Sequence, residues 1–188
     1  MKNKKPVVIA VVGMAGSGKS EVVKVLEEKG FKRFYFGGIV VEATKKKYGK
    51  RTEQLERKVR LSLRKKYGMA AMALLSLDYI QQDIESGKNV VIDGLYSWDE
   101  FKILKEKFKD SFYLISVHLD FKTRAKRIVS RAVRPYSTED LQKRDYSEIE
   151  ESAKGGPIAY GDFHYVNSHN LKHLQEWVNK LTTKLSIS

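Results

Sequence analysis

Gly13–Ser20 reads GMAGSGKS: a glycine, four residues, a second glycine, then Lys19 and Ser20. That spacing is the pattern of a phosphate-binding loop, and it counts only between a strand and a helix. Both flanks comply. Val7–Val12 is a run of β-branched residues that predicts a strand, and Ser20–Lys29 places Val22, Val23, Val25 and Leu26 at helical spacing. Glycines let successive backbone N–H groups turn inward around an anion, and the new helix points its positive end at the same spot. The predicted nucleotide contacts are therefore Gly13, Ala15, Gly16, Ser17, Gly18, Lys19, Ser20 and, in the first turn of the helix, Glu21. Lys19 adds a full charge, and the Ser20 hydroxyl suits a magnesium ion bridging terminal phosphates. The alternative, a glycine-rich turn with Lys19 as a surface charge, explains neither flank.

At 188 residues the chain is long enough for one domain with a real core, and a single domain over 1–188 is expected. It contains no cysteine, which excludes disulfides and thiolate zinc sites. The apolar run after the charged start MKNKKP is short and is used up by the first strand, so no signal peptide is read there. Met69–Leu77, the longest apolar run elsewhere, falls well short of the roughly 20 residues of a spanning helix. A soluble, cytoplasmic protein with no membrane partner is the expectation. The net charge of +13 calls for a polyanionic partner: a nucleotide, a polyphosphate coenzyme or a nucleic acid. Eleven cations between Lys45 and Lys66 face only Glu53 and Glu56, either as a solvated helical hairpin or as a phosphate-facing surface.

Along the chain, Phe31–Phe36 predicts a second strand ended by Gly37 and Gly38. Ile39–Tyr48, Thr52–Tyr67 and Met69–Glu85 read as helices, with Leu55, Val59 and Leu63 on one face, then Leu74, Leu77 and Ile80. These helices, over about 39–86, predict a lateral layer forming one wall of a substrate cleft. Asn89–Asp93 is a short strand ending in an acid, and Gly94 allows a tight turn after it. Asp93 at a strand end is placed to bind magnesium; capping the turn is the other reading. Ser97 with Glu100 three residues on forms a capping box for a helix over Trp98–Phe108.

Phe112–Leu119 predicts the next strand, followed by Asp120 and a helix from about Thr123 that carries Arg124, Arg127 and Arg131, with Arg134 just past it. Ser137–Ser152 reads as another helix, with Lys143, Arg144 and Asp145. Like charges on one face repel unless an anion joins them, so the 121–153 region reads as a basic lid in which Arg127, Arg131 and Arg144 close on a transferred phosphoryl group. Lys154–Gly161 reads as a loop and Phe163–Val166 as a last strand. Leu171–Leu185 reads as an amphipathic helix with Leu171, Leu174, Trp177, Val178 and Leu181 inward. His169 and His173 are four apart but lack a third ligand in pattern, so zinc is not expected.

The blocks GSGKSEVVKVLEEKGF, VVIDGLYSWDEF, RDYSEIE and YVNSHNLKHL resemble the P-loop small-molecule kinases. Among these, the nucleoside monophosphate kinases, dephospho-coenzyme A kinases and above all the archaeal-type adenylate-kinase-related proteins are similar, over about Val7–Trp177. The resemblance implies a three-layer α/β fold with a parallel five-stranded sheet, ATP as phosphoryl donor, magnesium as cofactor and a small phosphate-bearing acceptor. It assigns Lys19, Asp93, Arg127, Arg131 and Arg144 to the transfer, and puts Asn167, in the loop before the last helix, near the adenine. Two departures concern the acceptor. Adenylate kinases place one arginine in the helix after the second strand and another after the Asp-Gly pair; this chain has Val41 and Ser97 there. Dephospho-coenzyme A kinases place an aspartate after the second strand, where this chain has Gly38. The acceptor-side candidates are Gly37, Gly38, Glu42 and Tyr96. A P-loop ATPase acting as a nucleic-acid-associated or regulatory factor is the rival reading.

Overall fold

In the computed structural model, residues 5–130 and 136–185 are described. The centre is β1 (Val8–Val12), all five residues of which are buried. It pairs in parallel with β3 (Val90–Asp93) on one side and β4 (Phe112–His118) on the other. β2 (Lys32–Tyr35) extends the sheet beyond β3, and β5 (Phe163–Val166) beyond β4, giving the parallel order β2-β3-β1-β4-β5. A strand buried on both faces reads as a continuous apolar run, which is why VIAVV shows no alternation.

Successive β1 side chains enter two different cores. Val8, Ala10 and Val12 pack with Phe36, Val40, Met72, Ile80 and Leu104 from α2 (Phe36–Tyr48), α4 (Ala71–Leu74), α5 (Leu77–Glu85) and α6 (Trp98–Phe108). Ile9 and Val11 pack with Val22, Leu26, Val178 and Leu181 from α1 (Lys19–Glu28) and α10 (Leu171–Lys184). The result is the three-layer α/β fold of P-loop proteins. α3 (Glu53–Tyr67) lies on α2 and α4 rather than on the sheet. A small third cluster of Ala15, Ala125, Ile128 and Leu141 fastens the loop after β1 to α7 (Phe121–Val129) and α8 (Thr138–Glu150). No helix among the described residues is long and apolar enough to cross a membrane.

The structure departs from the sequence reading in four places. Gly37 and Gly38 do not end a strand but lie in the first turn of α2, which starts at the buried Phe36 behind an extended Tyr35. The Tyr35 ring folds over Gly37 so closely that a Cβ there would meet it at 2.3 Å. Second, Met69–Glu85 is broken between α4 and α5. The fully buried Ser76 turns its hydroxyl back onto the Met72 carbonyl at 2.6 Å, and Leu74 is left exposed instead of joining the apolar face. Third, 154–161 contains a short helix, α9 (Gly155–Ala159). Pro157 is tolerated in its first turn, and Gly156 sits against Trp98 where a Cβ would meet the ring at 2.8 Å. Fourth, Leu171 is half exposed because it opens α10 directly after the Asn170 cap, before that helix reaches the sheet.

Candidate active site

Parallel pairing sets Val11 beside Asp93, so the loop leaving β1 and the acid ending β3 share the carboxyl edge of the sheet. Ligands of open α/β sheets bind in the crevice outside that edge. Gly16 and Gly18 hold φ of +80° and +96°, and Gly18 caps α1. A side chain at Gly18 would also strike Asn167, whose Nδ2 donates to the Ser17 carbonyl at 2.9 Å. Asn167 thereby ties the end of β5 to the loop. Gly13 and Ser17 shape the turn from beneath; the Ser17 hydroxyl is buried without a partner.

Lys19 donates to the Met14 carbonyl at 2.9 Å. Burial, reinforced by the neighbouring charges of Lys154 and Arg144 against those of Glu148 and Asp93, pushes its ammonium down to about 7. A half-buried lysine among other cations, its charge disfavoured, suits an anion. This depressed lysine, the inward glycine turn and the helix terminus fit a nucleotide phosphate. Ser20 and Asp93, the candidate magnesium donors, are few, as would suit an ion that takes its remaining ligands from phosphate and water. No group of three or more His, Cys, Asp or Glu side chains able to hold a metal by itself occurs among the described residues, His169 and His173 included. Asp93 is paired: Arg33 on β2 donates to it through Nη2 at 2.5 Å and Nε at 3.2 Å.

The arginines expected to form a lid divide by their contacts. Arg124 is buried and forked onto Asp145 at 2.6 and 3.2 Å, with its Nη1 also donating to the Ala15 carbonyl at 3.0 Å. It fastens α7 and α8 to the loop. Arg127 donates to the Asn167 carbonyl at 3.1 Å and lines the loop cavity, as does Arg144 from α8. Arg131 and Arg134 lie outside the described residues.

Two cavities meet at this edge. The first, about 500 Å³, is lined by Ala15, Gly16, Gly18, Lys19, Ser20 and Glu21, together with Asp93, Arg127 and Asn167. The second, about 310 Å³, is lined by Gly37, Arg60, Arg64, Tyr136 and Glu148 among others. Tyr96 and Arg144 line both. Gly38 and Glu42 are not brought there; they line a third cavity of about 400 Å³ at the β2 edge, with Arg33 and Tyr79.

Several residues at the site escape a reading of spacing. Glu148 accepts from Arg144 Nε at 2.8 Å and from the fully buried Lys154 at 2.7 Å. Burial raises the Glu148 carboxyl, but the two cations outweigh it and keep its pKa below the ordinary carboxylate range. Burial likewise opposes the charge on Arg144, and Glu148 beside it more than restores its hold on the proton. Lys154 lies over the Tyr96 ring, 4.4 Å from its centre. Only the i, i+4 spacing of Arg144 and Glu148 was available as a signal. The basic 45–66 segment splits: Lys45, Lys46, Lys47 and Lys58 are exposed, whereas the half-buried Arg64 and, from its exposed rim, Arg60 border the second cavity.

The AAA domain family matches residues 9–152. A UPF0200 protein of Thermococcus kodakarensis is 32% identical over 181 residues, covering 95% of this chain and 97% of that protein. In fold, a shikimate kinase from Bacteroides thetaiotaomicron superposes with a TM-score of 0.59 at 12% identity, covering 96% of this chain and 98% of that one. A dephospho-CoA kinase from Campylobacter jejuni does so with a TM-score of 0.54 at 15% identity and the same coverage. The loop, the sheet order and these matches agree: the chain belongs to the AAA-domain family of P-loop nucleotide-binding proteins and, within its nearer kin, to the UPF0200 proteins.

Proposed function

We propose that this protein is an ATP-dependent phosphotransferase that moves the γ-phosphoryl group of ATP to a small phosphate-bearing acceptor. The observation that carries this reading is the shared wall: the loop cavity and a second basic cavity meet at Tyr96 and Arg144. A donor in the first and an acceptor in the second would meet there, which is the positioning that phosphoryl transfer needs. Lys19 and the loop amides hold the β- and γ-phosphates, and Asn167 borders the donor end. Arg127 and Arg144 neutralise charge on the transferred group, with Arg131 assigned to the same lid. Magnesium, held by Ser20 and Asp93 when bound, supplies charge neutralisation across the terminal phosphates. Arg33 must share or release Asp93 for that ion.

Phosphoryl transfer from ATP with magnesium, tried across nucleoside monophosphates, deoxynucleotides and dephospho-coenzyme A, tests the proposal. Transfer to one of them is expected. The exposed lysines of α2 and α3, with Lys47 and Lys66 lying over the exposed Tyr48 and Tyr67, favour a second reading as a nucleic-acid-stimulated ATPase. Hydrolysis without transfer, stimulated by RNA and falling steeply with salt, would replace the first reading by the second.

A further inference from the structure

The second cavity carries charges that its own protein partners do not satisfy. Arg64 has its Nε buried with no hydrogen-bond partner. Behind it, Glu100 is fully buried: its Oε2 accepts from the Tyr96 and Ser97 amides at 2.7 and 3.2 Å, while its Oε1 is left without a partner. Burial pushes the Glu100 carboxyl up to about 7, so near neutrality it supplies only a fraction of a charge to Arg64. Arg64 lines the cavity beside a carboxyl that is only partly charged, so the rest of its guanidinium is left for an external anion. Arg60, one turn earlier on α3, lines the same cavity and can share that anion. Glu53 and Glu151 also border the cavity; like Arg60, both are exposed at its rim, which leaves Arg64 as the more enclosed cation of α3 there.

At the opposite wall the chemistry reverses. Glu148 is an ionised carboxylate whose two hydrogen bonds, from Arg144 and Lys154, leave acceptor directions free. A carboxylate whose remaining lone pairs face the cavity can accept a proton from a ligand hydroxyl, which a fully ionised phosphate oxygen cannot offer. It suits a hydroxyl.

We infer that the acceptor is an anionic alcohol, its anionic group seated on Arg64 and Arg60 of α3 and its hydroxyl presented to Glu148. This rests on the phosphotransferase reading and names its substrate class. α3 then supplies from a different element the anion grip that Val41 and Ser97 do not provide. In the reaction the hydroxyl oxygen bonds to the γ-phosphorus and the bond from that phosphorus to the ADP oxygen breaks, its electron pair leaving with ADP. The hydroxyl proton passes to a Glu148 oxygen and then to solvent. The products are ADP, a phosphomonoester and one proton. A carboxylate kept acidic by two cations is a weak base, adequate where the transition state is loose and the proton leaves late.

The test uses the full chain with ATP and magnesium, and glycerol 3-phosphate, ribose 5-phosphate, dephospho-coenzyme A and AMP as acceptor probes, beside uncharged glycerol, ribose and adenosine. Phosphorus NMR of the product separates a phosphomonoester from a diphosphate. A phosphomonoester on a charged probe is expected, with the uncharged counterparts far poorer. Arg64→Met should raise KM for the charged probe by roughly 10- to 100-fold, leaving kcat and ATP affinity within about twofold, because it removes one charge-assisted hydrogen bond. Glu148→Gln should lower kcat by about 100-fold with little change in KM, and Glu148→Asp should recover part of it. Since Glu148→Gln also strips Lys154 of its partner, the Arg64 variant stands as the independent arm. A diphosphate product, or a phosphomonoester whose KM ignores Arg64→Met, overturns the inference and leaves the phosphotransferase intact. Transfer to none of the probes, with ATP hydrolysed to phosphate, overturns both.

Discussion

The loop side of this molecule and its α3 side, the donor and acceptor sides of the proposed reaction, are built on opposite plans. On the donor side the loop after β1 is stitched to everything around it: Asn167 holds the Ser17 carbonyl, Arg124 holds the Ala15 carbonyl, and Asp145 holds Arg124. On the acceptor side α3 rests on other helices rather than on the sheet. Arg64 Nε and Glu100 Oε1 are buried there without partners, as against the Ser17 hydroxyl in the loop, and the helical layer is broken at Ser76. A phosphate chain is the same in every nucleotide, so a rigid cradle can be completed by the protein itself. An acceptor, as proposed, is particular, and its site would leave groups for that molecule to satisfy.

The comparison can be broken most forcefully at Arg124. Both it and Asp145 are buried, so Arg124→Ala strands a carboxylate and should cost about 3–5 kcal/mol in urea unfolding. Replacing the pair by Met and Leu should recover most of that, because apolar residues of similar size avoid the stranded charge. A small loss from Arg124→Ala would mean that the donor side is not stitched as described.

Next in size is Lys19→Ala, expected to lower transfer by roughly 100-fold or more, as removal of one preorganised donor does. Stability at neutral pH should not fall in proportion, since burial already disfavours the charge of this lysine.

The acceptor side is probed by pH. Glu100 is raised in the folded chain to about 7 from an ordinary 4.5, so the native state keeps its proton while the unfolded state loses it. Its contribution therefore lowers stability as pH rises from about 4.5 to about 7, by an amount on the order of 1–3 kcal/mol. Glu100→Gln should flatten that part of a thermal-unfolding profile; an unchanged slope would remove Glu100 from the account. Lys19 works in the other direction: lowered to about 7, it makes the nucleotide-free protein gain stability as pH rises above 7, a gain that bound phosphate should suppress.

The smallest effect belongs to the outer face of α2 and α3. Exchanging Lys45, Lys46 and Lys58 for serine should change stability by less than about 0.5 kcal/mol each and leave transfer alone. A loss of RNA-stimulated hydrolysis in the same variants would show that the face is functional rather than solvated.

What was legible in the sequence follows the same division. Eight contiguous residues specify the donor loop, and β1, β3, β5 and the Ser97–Glu100 capping box follow from patterns only a few residues long. The acceptor cavity draws on Gly37, Arg60, Arg64, Tyr96, Arg144 and Glu148, which lie on separate elements and converge only through the packing of α3 and α8. No local period records that convergence. Gly37 and Gly38 read as a strand end because glycine ordinarily punctuates; their place in α2 depends on the Tyr35 ring covering them. Arg33 on Asp93 was equally hidden, since the β2–β3 register pairs Asp93 with Tyr35 and Arg33 reaches the carboxylate diagonally from two residues back on β2.

The most direct test of the central claim is to follow ATP radiolabelled at the γ-phosphate, with magnesium and a small-molecule extract, through wild type and Lys19→Ala. Label appearing in a phosphorylated small molecule with wild type and not with the variant is the predicted result. Label that ends only in inorganic phosphate, or transfer undiminished in Lys19→Ala, would contradict it.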